Sequence, residues 1–146
     1  MTLYAQHFVD RNHIIIAGVS RKGNKFGNSA VKELQKRGFT ISIVHPTANA
    51  IDGLQCIRSC KEAGDSNAGL LVVLPPKNVP EVLKDAAAAG IKNVWLQQGA
   101  ESPESITLAE SLGLECVSGK CILMYAEEVE GIHKFHRTIL HWFGKM

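Results

Sequence analysis

The sequence predicts an open α/β sheet of about five parallel strands, doubly wound with helices on both faces, and three observations carry that prediction. Short runs of β-branched and aliphatic residues alternate with amphipathic segments along the chain. Three of these runs are nearly continuous in apolar character, as a parallel strand covered on both faces must be. The segments between strands have the length of crossover helices, roughly 10 to 15 residues, which implies right-handed strand–helix–strand units.

In chain order, Leu3 to Asp10 reads as a small leading helix and His13 to Val19 (HIIIAGV) as the first strand. A helix follows, capped by Asn28 or Ser29; Val31 and Leu34 face inward, Lys32, Glu33, Lys36 and Arg37 face water, and Gly38 supplies the left-handed stop. Glu33 and Arg37 are ordered for an i,i+4 ion pair. Thr40 to His45 (TISIVH) is the second strand, and Asp52 to Ser66 reads as a short helix and loops. Ala68 to Leu74 (AGLLVVL) is the third strand; Pro80 then opens a helix in its first turn, Glu81 to Ala89 continue it and Gly90 ends it. Asn93 to Gln98 (NVWLQQ) is the fourth strand, Ser102 and Pro103 open the next helix, Gly113 ends it, and Leu114 to Ser118 is the fifth strand. Ala126 to Phe143 reads as a terminal helix.

Length and composition set further bounds. With 146 residues, 45% hydrophobic and 21% charged, the chain has the balance of one soluble globular domain spanning residues 1–146. Its apolar runs are far short of the roughly 18 residues a membrane span needs. The N-terminus lacks a basic stretch leading into an apolar one, so no secretory signal is read and a cytoplasmic location is expected. The four cysteines, Cys56, Cys60, Cys116 and Cys121, are expected as reduced thiols rather than a disulfide scaffold.

The net charge of +2 is unevenly placed: residues 1–50 hold seven Lys/Arg against two Asp/Glu, and residues 101–146 hold four against seven. A protein built to coat nucleic acid would carry its basic residues more broadly, so no nucleic-acid partner is expected. Within the basic third, Arg21, Lys22 and Lys25 lie together in the loop Gly18-Val19-Ser20-Arg21-Lys22-Gly23-Asn24-Lys25-Phe26-Gly27, directly after a strand and directly before a helix. In open α/β sheets ligands bind beyond the carboxyl ends of the strands. Small residues there let the backbone approach a phosphate, the helix N-terminus presents free amides, and three cations add attraction.

The spelling of the loop excludes a standard nicotinamide fingerprint. Serine stands where the second glycine belongs, and Gly27 comes four positions after Gly23. The second strand ends His45-Pro46-Thr47, with no carboxylate to accept the ribose hydroxyls of NAD. A nucleotide carrying an extra ribose phosphate, NADP or coenzyme A, suits the basic loop better.

Four segments carry a resemblance: GVSRKGNKFGNS (Gly18 to Ser29), IVHP (Ile43 to Pro46), VVLPPKNVPEVL (Val72 to Leu83) and WLQQGAES (Trp95 to Ser102). In this order at successive strand ends they resemble the CoA-binding domain family, small single-domain relatives of the N-terminal domain of the succinyl-CoA synthetase alpha subunit. The tail with Cys121 and His133-Lys134-Phe135-His136-Arg137 is similar to the ending of these small proteins. The resemblance implies a Rossmann-like fold binding coenzyme A or an acyl-CoA. Gly18, Val19, Ser20, Arg21 and Lys22 would then contact the pyrophosphate, with Gly23, Phe26 and Gly27 completing the loop, and Lys25 would reach the phosphorylated ribose or pyrophosphate. His45 and Pro46 stand where the family commonly has Asn-Pro, and a neutral or protonated imidazole there still donates to a phosphate. Pro75, Pro76 and Lys77 would wall the adenine or pantetheine side, and Gln98-Gly99 would close the crevice.

The resemblance does not bring ligase chemistry, because the synthetase carries its phosphohistidine on a domain beyond the CoA-binding one. No nucleophile with an activating base stands in the crevice motifs, so no catalytic residue is assigned. His133 and His136, with His141 beyond, are a weak metal signal beside packing residues such as Phe135 and Trp142, and no metal is expected. Cys121 would be the thiol to watch for a mixed disulfide with coenzyme A, against a plainer packing role. Three readings therefore stand: a non-catalytic module for coenzyme A or acyl-CoA, an NADP-dependent oxidoreductase, and an interaction protein with a vestigial nucleotide site. The last would use the aromatic terminal helix as a homodimer or partner surface.

Overall fold

A computed structural model describes residues 3–23 and 25–126. After the helix α1 (Leu3–Val9), the chain runs β1 (His13–Ala17), α2 (Phe26–Lys36), β2 (Thr40–Val44), β3 (Ala50–Ile51) and β4 (Leu54–Ile57). It continues through β5 (Gly69–Val72), α3 (Val79–Ala88), β6 (Asn93–Gln97), α4 (Pro103–Ser111) and β7 (Glu115–Lys120), with 3-10 turns at Cys60–Ala63, Pro76–Asn78 and Ile122–Met124. The sheet order is β3-β4-β2-β1-β5-β6-β7. Every pairing is parallel except that of β3 with β4. The chain builds outward from β1 through β2 to β4, then crosses to the other side of β1 with β5. The strand order therefore reverses between β1 and β5.

The expected α/β sheet wound on both faces is present, and β1 shows why its sequence dictates it. Ile14 and Ile16 are fully buried toward α1 and α2, while Ile15 and Ala17 are buried toward α3. A strand packed on both faces cannot alternate apolar with polar, and each fully buried isoleucine contributes roughly 1.5–3 kcal/mol. On the first face Trp95 is fully buried, 5.4 Å from the Phe8 ring edge-on and 5.6 Å from Tyr125, with its Nε1 donating to the Lys120 carbonyl at 2.9 Å. That ring packing needs Gly69, where a Cβ would come within 2.7 Å of Phe8.

The helices end where their sequence says. Gly38, Gly90 and Gly113 all take positive φ just past α2, α3 and α4. Ser102 caps α4, its side chain accepting from the Ser105 amide at 3.1 Å. The Glu33–Arg37 pair forms at 3.1 Å, and Arg37 also donates to the carbonyls of Leu123 and Ala126.

Three differences from the sequence reading have physical reasons. The sheet has seven strands instead of about five, because Ala50 to Ile57, read partly as loop, forms an antiparallel hairpin whose second strand joins β2 in parallel. Its turn, Asp52-Gly53, has φ of 52° and 82°, the left-handed pair that a two-residue hairpin turn demands. The helix α2 begins at Phe26, with Lys25 as its N-cap, rather than at Asn28 or Ser29, since Asn28 is 1% exposed and bonds back into the loop from inside the first turn. The terminal helix expected over Ala126 to Phe143, with His133, His136 and His141, lies outside the described residues beyond Ala126. Among the described helices none is long and apolar enough to cross a membrane.

Candidate functional site

The carboxyl ends of β1, β2 and β5 meet at the point of strand reversal, and the backbone itself shapes the opening there. Gly18 leaves β1 at φ 115°, so close to β5 that a Cβ would sit 2.1 Å from the Val73 carbonyl oxygen. Gly27, in the first turn of α2, is as tightly held, with a Cβ position 2.4 Å from the Gly18 carbonyl oxygen. Any side chain at either position would push the loop away from the sheet.

Asn28 fixes the loop between these glycines. Its Oδ1 accepts from the backbone amides of Ser20 at 3.0 Å and Lys25 at 3.3 Å, and its Nδ2 donates to the Ser20 carbonyl at 2.9 Å. The same Nδ2 donates to Asp52 Oδ2 at 3.0 Å, which ties the β3–β4 turn to the loop. Ser20 Oγ accepts from the Lys22 amide and the Ser20 carbonyl accepts from the Gly23 amide, so the loop curls around Ser20. Arg21, Lys22 and Lys25 are left exposed beside the N-terminus of α2, whose first amides lack intrahelical acceptors. Arg21 Nη2 also donates to Thr47 Oγ1.

His45 ends β2 across the opening. Its Nδ1 accepts from the amides of Ala48 at 2.8 Å and Thr47 at 3.1 Å, which leaves the ring proton on Nε2. Burial first, and then the nearby Arg21 and Arg58 guanidiniums, hold its pKa below the usual histidine value, so the ring is neutral near pH 7. Arg58 braces the same turn, donating to the carbonyls of His45, Thr47 and Ala48 and to Asn49 Oδ1.

These elements enclose a cleft of about 540 Å³, within the size range of small-molecule sites. Of the residues singled out in the sequence, Gly18, Val19, His45 and Pro46 line it. Ser20, Arg21, Lys22, Gly23, Lys25, Phe26 and Gly27 continue from Gly18 and Val19 as the loop into α2, with Phe26 38% exposed. Pro75, Pro76 and Lys77 are exposed on a rim between Leu74 and Asn78, which do line the cleft. Gln98 and Gly99 lie one strand further out and are not among the lining residues; Gln98 donates to the Gly119 carbonyl and the Gly99 amide to Glu101.

Sequence reasoning missed Arg58, Ser59, Glu81, Val82 and Asp85 as cleft residues. The α3 members had a signal: Asn78, Glu81, Val82 and Asp85 follow the i, i+3, i+4, i+7 spacing of one helical face. Arg58 and Ser59 had none without the hairpin that delivers them. Behind Ser59, the Cys60 thiol is pushed far above the usual thiol range by burial and by the Asp85 carboxylate, and burial raises Cys116 to about 11 and Cys56 in the same direction. Thiols held protonated in this way are poor nucleophiles. Cys121 starts the turn after β7 and does not line the cleft. Among the described residues no group of three or more His, Cys, Asp or Glu stands close enough to hold a metal ion.

Residues 12–127 match the protein family described as CoA binding domain. Curated relatives include acetate–CoA ligases (ADP-forming) I and II of Archaeoglobus fulgidus, 24% identical over 135 residues and 32% identical over 99. Those alignments cover 86% and 66% of this chain but only 20% and 15% of the ligases, so the chain spans a fifth or less of these relatives. Among solved structures, a conserved hypothetical protein from Pyrococcus furiosus superposes with a TM-score of 0.73 at 37% identity, covering 77% of this chain and 97% of that one. The dinucleotide-forming acetyl-coenzyme A synthetase 1 of Candidatus Korarchaeum cryptofilum, in complex with phosphate and ADP, superposes over 70% of this chain and 24% of its own. Its TM-score is 0.62 at 24% identity, a likeness of fold. None of these matches supports the NADP alternative.

Proposed function

The chain belongs to the CoA binding domain family, and from that premise we propose that it is a binding module for coenzyme A or an acyl-CoA, without catalytic activity of its own. The observation that carries this reading is the loop from Gly18 to Gly27, pinned by Asn28 at the point of strand reversal, with Arg21, Lys22 and Lys25 exposed beside the N-terminus of α2. A helix N-terminus and exposed cations together suit a pyrophosphate and a ribose phosphate. His45 Nε2–H faces the same ligand class as a neutral donor.

Thermal unfolding with coenzyme A, acetyl-CoA, NADPH and NADH at equal concentration tests the reading. A ligand at 100 times its Kd stabilises by about 2.7 kcal/mol, an increase of roughly 6–12 °C in Tm for a domain of this size. The expected result is a shift with the two CoA species alone, largely lost in Arg21→Ala/Lys22→Ala. A shift with NADPH alone, or with none of the four, overturns it.

A further inference from the structure

The cleft is divided by charge. Around the end of β2 stand Arg21, Arg58 and His45; along α3 the cleft is lined by Glu81 and Asp85, one helical turn apart, with apolar Leu74 and Val82 beside them. Asp85 is held in place, since its Oδ2 accepts from the Cys60 amide at 2.9 Å. No basic residue lines the α3 wall: Asn78, the remaining polar group there, is neutral.

This division orients a ligand that is anionic at one end. The ribose phosphate of coenzyme A carries close to two negative charges and is drawn to the guanidiniums at β2, while the carboxylates of α3 repel it. The pyrophosphate would then lie between, over the loop into α2. The pantetheine arm, uncharged and rich in amide N–H donors, is the part left to run along α3, where carboxylates accept hydrogen bonds and Leu74 and Val82 take up its apolar segments. Whatever is esterified to its thiol therefore meets Glu81 and Asp85.

Building on the reading above, we propose that Glu81 and Asp85 make the cleft selective by acyl charge: it takes free coenzyme A and esters of neutral acyl groups, and turns away esters whose acyl group ends in a carboxylate. A third negative charge brought within several ångströms of two fixed carboxylates, partly shielded by solvent, weakens binding on the order of tenfold.

Calorimetric titration with coenzyme A, butyryl-CoA and succinyl-CoA decides the matter, because the two esters have acyl chains of equal carbon count and differ in the terminal carboxylate. The protein is expected to bind butyryl-CoA about tenfold more tightly than succinyl-CoA, with the ratio falling toward about one to three in Glu81→Gln/Asp85→Asn. Glu81→Gln alone, at an exposed position, is expected to move the ratio part of the way and guards against a folding defect in the double variant. Equal affinities in the unaltered protein, or a preference that survives both substitutions, overturn the charge selectivity while leaving coenzyme A binding intact. Failure to bind coenzyme A itself overturns the functional reading and the selectivity with it.

Discussion

At the scale of single residues, His45 couples the site to pH. Its folded-state pKa lies below 6.5, so on acidification the unfolded chain takes up a proton that the folded chain refuses. The His45 contribution to stability is therefore intact above that value and declines as pH falls toward the folded pKa. A phosphate accepting from Nε2 favours the charged ring and opposes the shift, so coenzyme A should raise the His45 midpoint. Imidazole resonances followed by NMR should show a midpoint for His45 below 6.5 in the free protein and a higher one with coenzyme A; an unmoved midpoint would separate His45 from the ligand. The sequence placed this histidine at a strand end beside the site but was silent on which nitrogen is free. That is settled by the amides of Thr47 and Ala48, in a turn shaped by Arg58, thirteen positions away. A second histidine shows how far geometry alone misleads: His13 bonds Ser42 Oγ at 2.7 Å and Asp65 at 3.0 Å, the order of a catalytic triad. None of the three lines the cleft, and Ser42 sits within the β2 ladder. The cluster acts as a clasp between β1, β2 and the loop before β5. Hydrogen bonds from His13 and then from the Asn67 amide lower the Asp65 pKa, so this clasp loosens only on the acid side of the ordinary carboxylate range.

Among the elements, strands buried on both faces and helices with glycine stops were legible because each announces itself locally. The apolar run of β1, the Ser102-Pro103 start of α4 and Gly38, Gly90 and Gly113 need no distant partner to be read. The β3–β4 hairpin was not legible: β3 is two residues long, and β4 reads LQCI with Gln55 exposed, so neither offers a period to detect. Its existence depends on tertiary partners, β2 on one side and Asn28 through Asp52 on the other. Asn28→Ala should therefore disturb two elements at once. It strands the amide and carbonyl of Ser20 and frees the hairpin turn, an expected loss of about 2–4 kcal/mol in chemical denaturation with a weaker response to coenzyme A. A loss of under about 0.5 kcal/mol would mean that the loop holds its shape without it. Asp52→Ala removes the outer bond and also puts alanine at the left-handed φ of 52°, with an expected cost of about 1–2 kcal/mol.

Across the whole molecule, stability and function are distributed unequally. The slowest amide exchange is expected in β1, β5 and β6, whose residues are buried from both faces. The fastest, among the regular elements, is expected in β3 and β4, where most side chains are exposed or half-buried. Coenzyme A should protect the loop after β1 and, through Asn28 and Asp52, that hairpin; hydrogen exchange read by mass spectrometry would show both, and protection confined to β6 and β7 would contradict the placement of the cleft. The hairpin has one more effect, on how copies of the chain meet. Among the described residues the sheet has two borders: β7, six residues long, and β3, only two. A filament needs each copy to offer a border at both ends, and two residues leave too few free backbone groups to seat a neighbour. On the borders of the described residues, strand-to-strand association can join β7 to β7 but stops at a pair, so crowding should give closed dimers before it gives fibres.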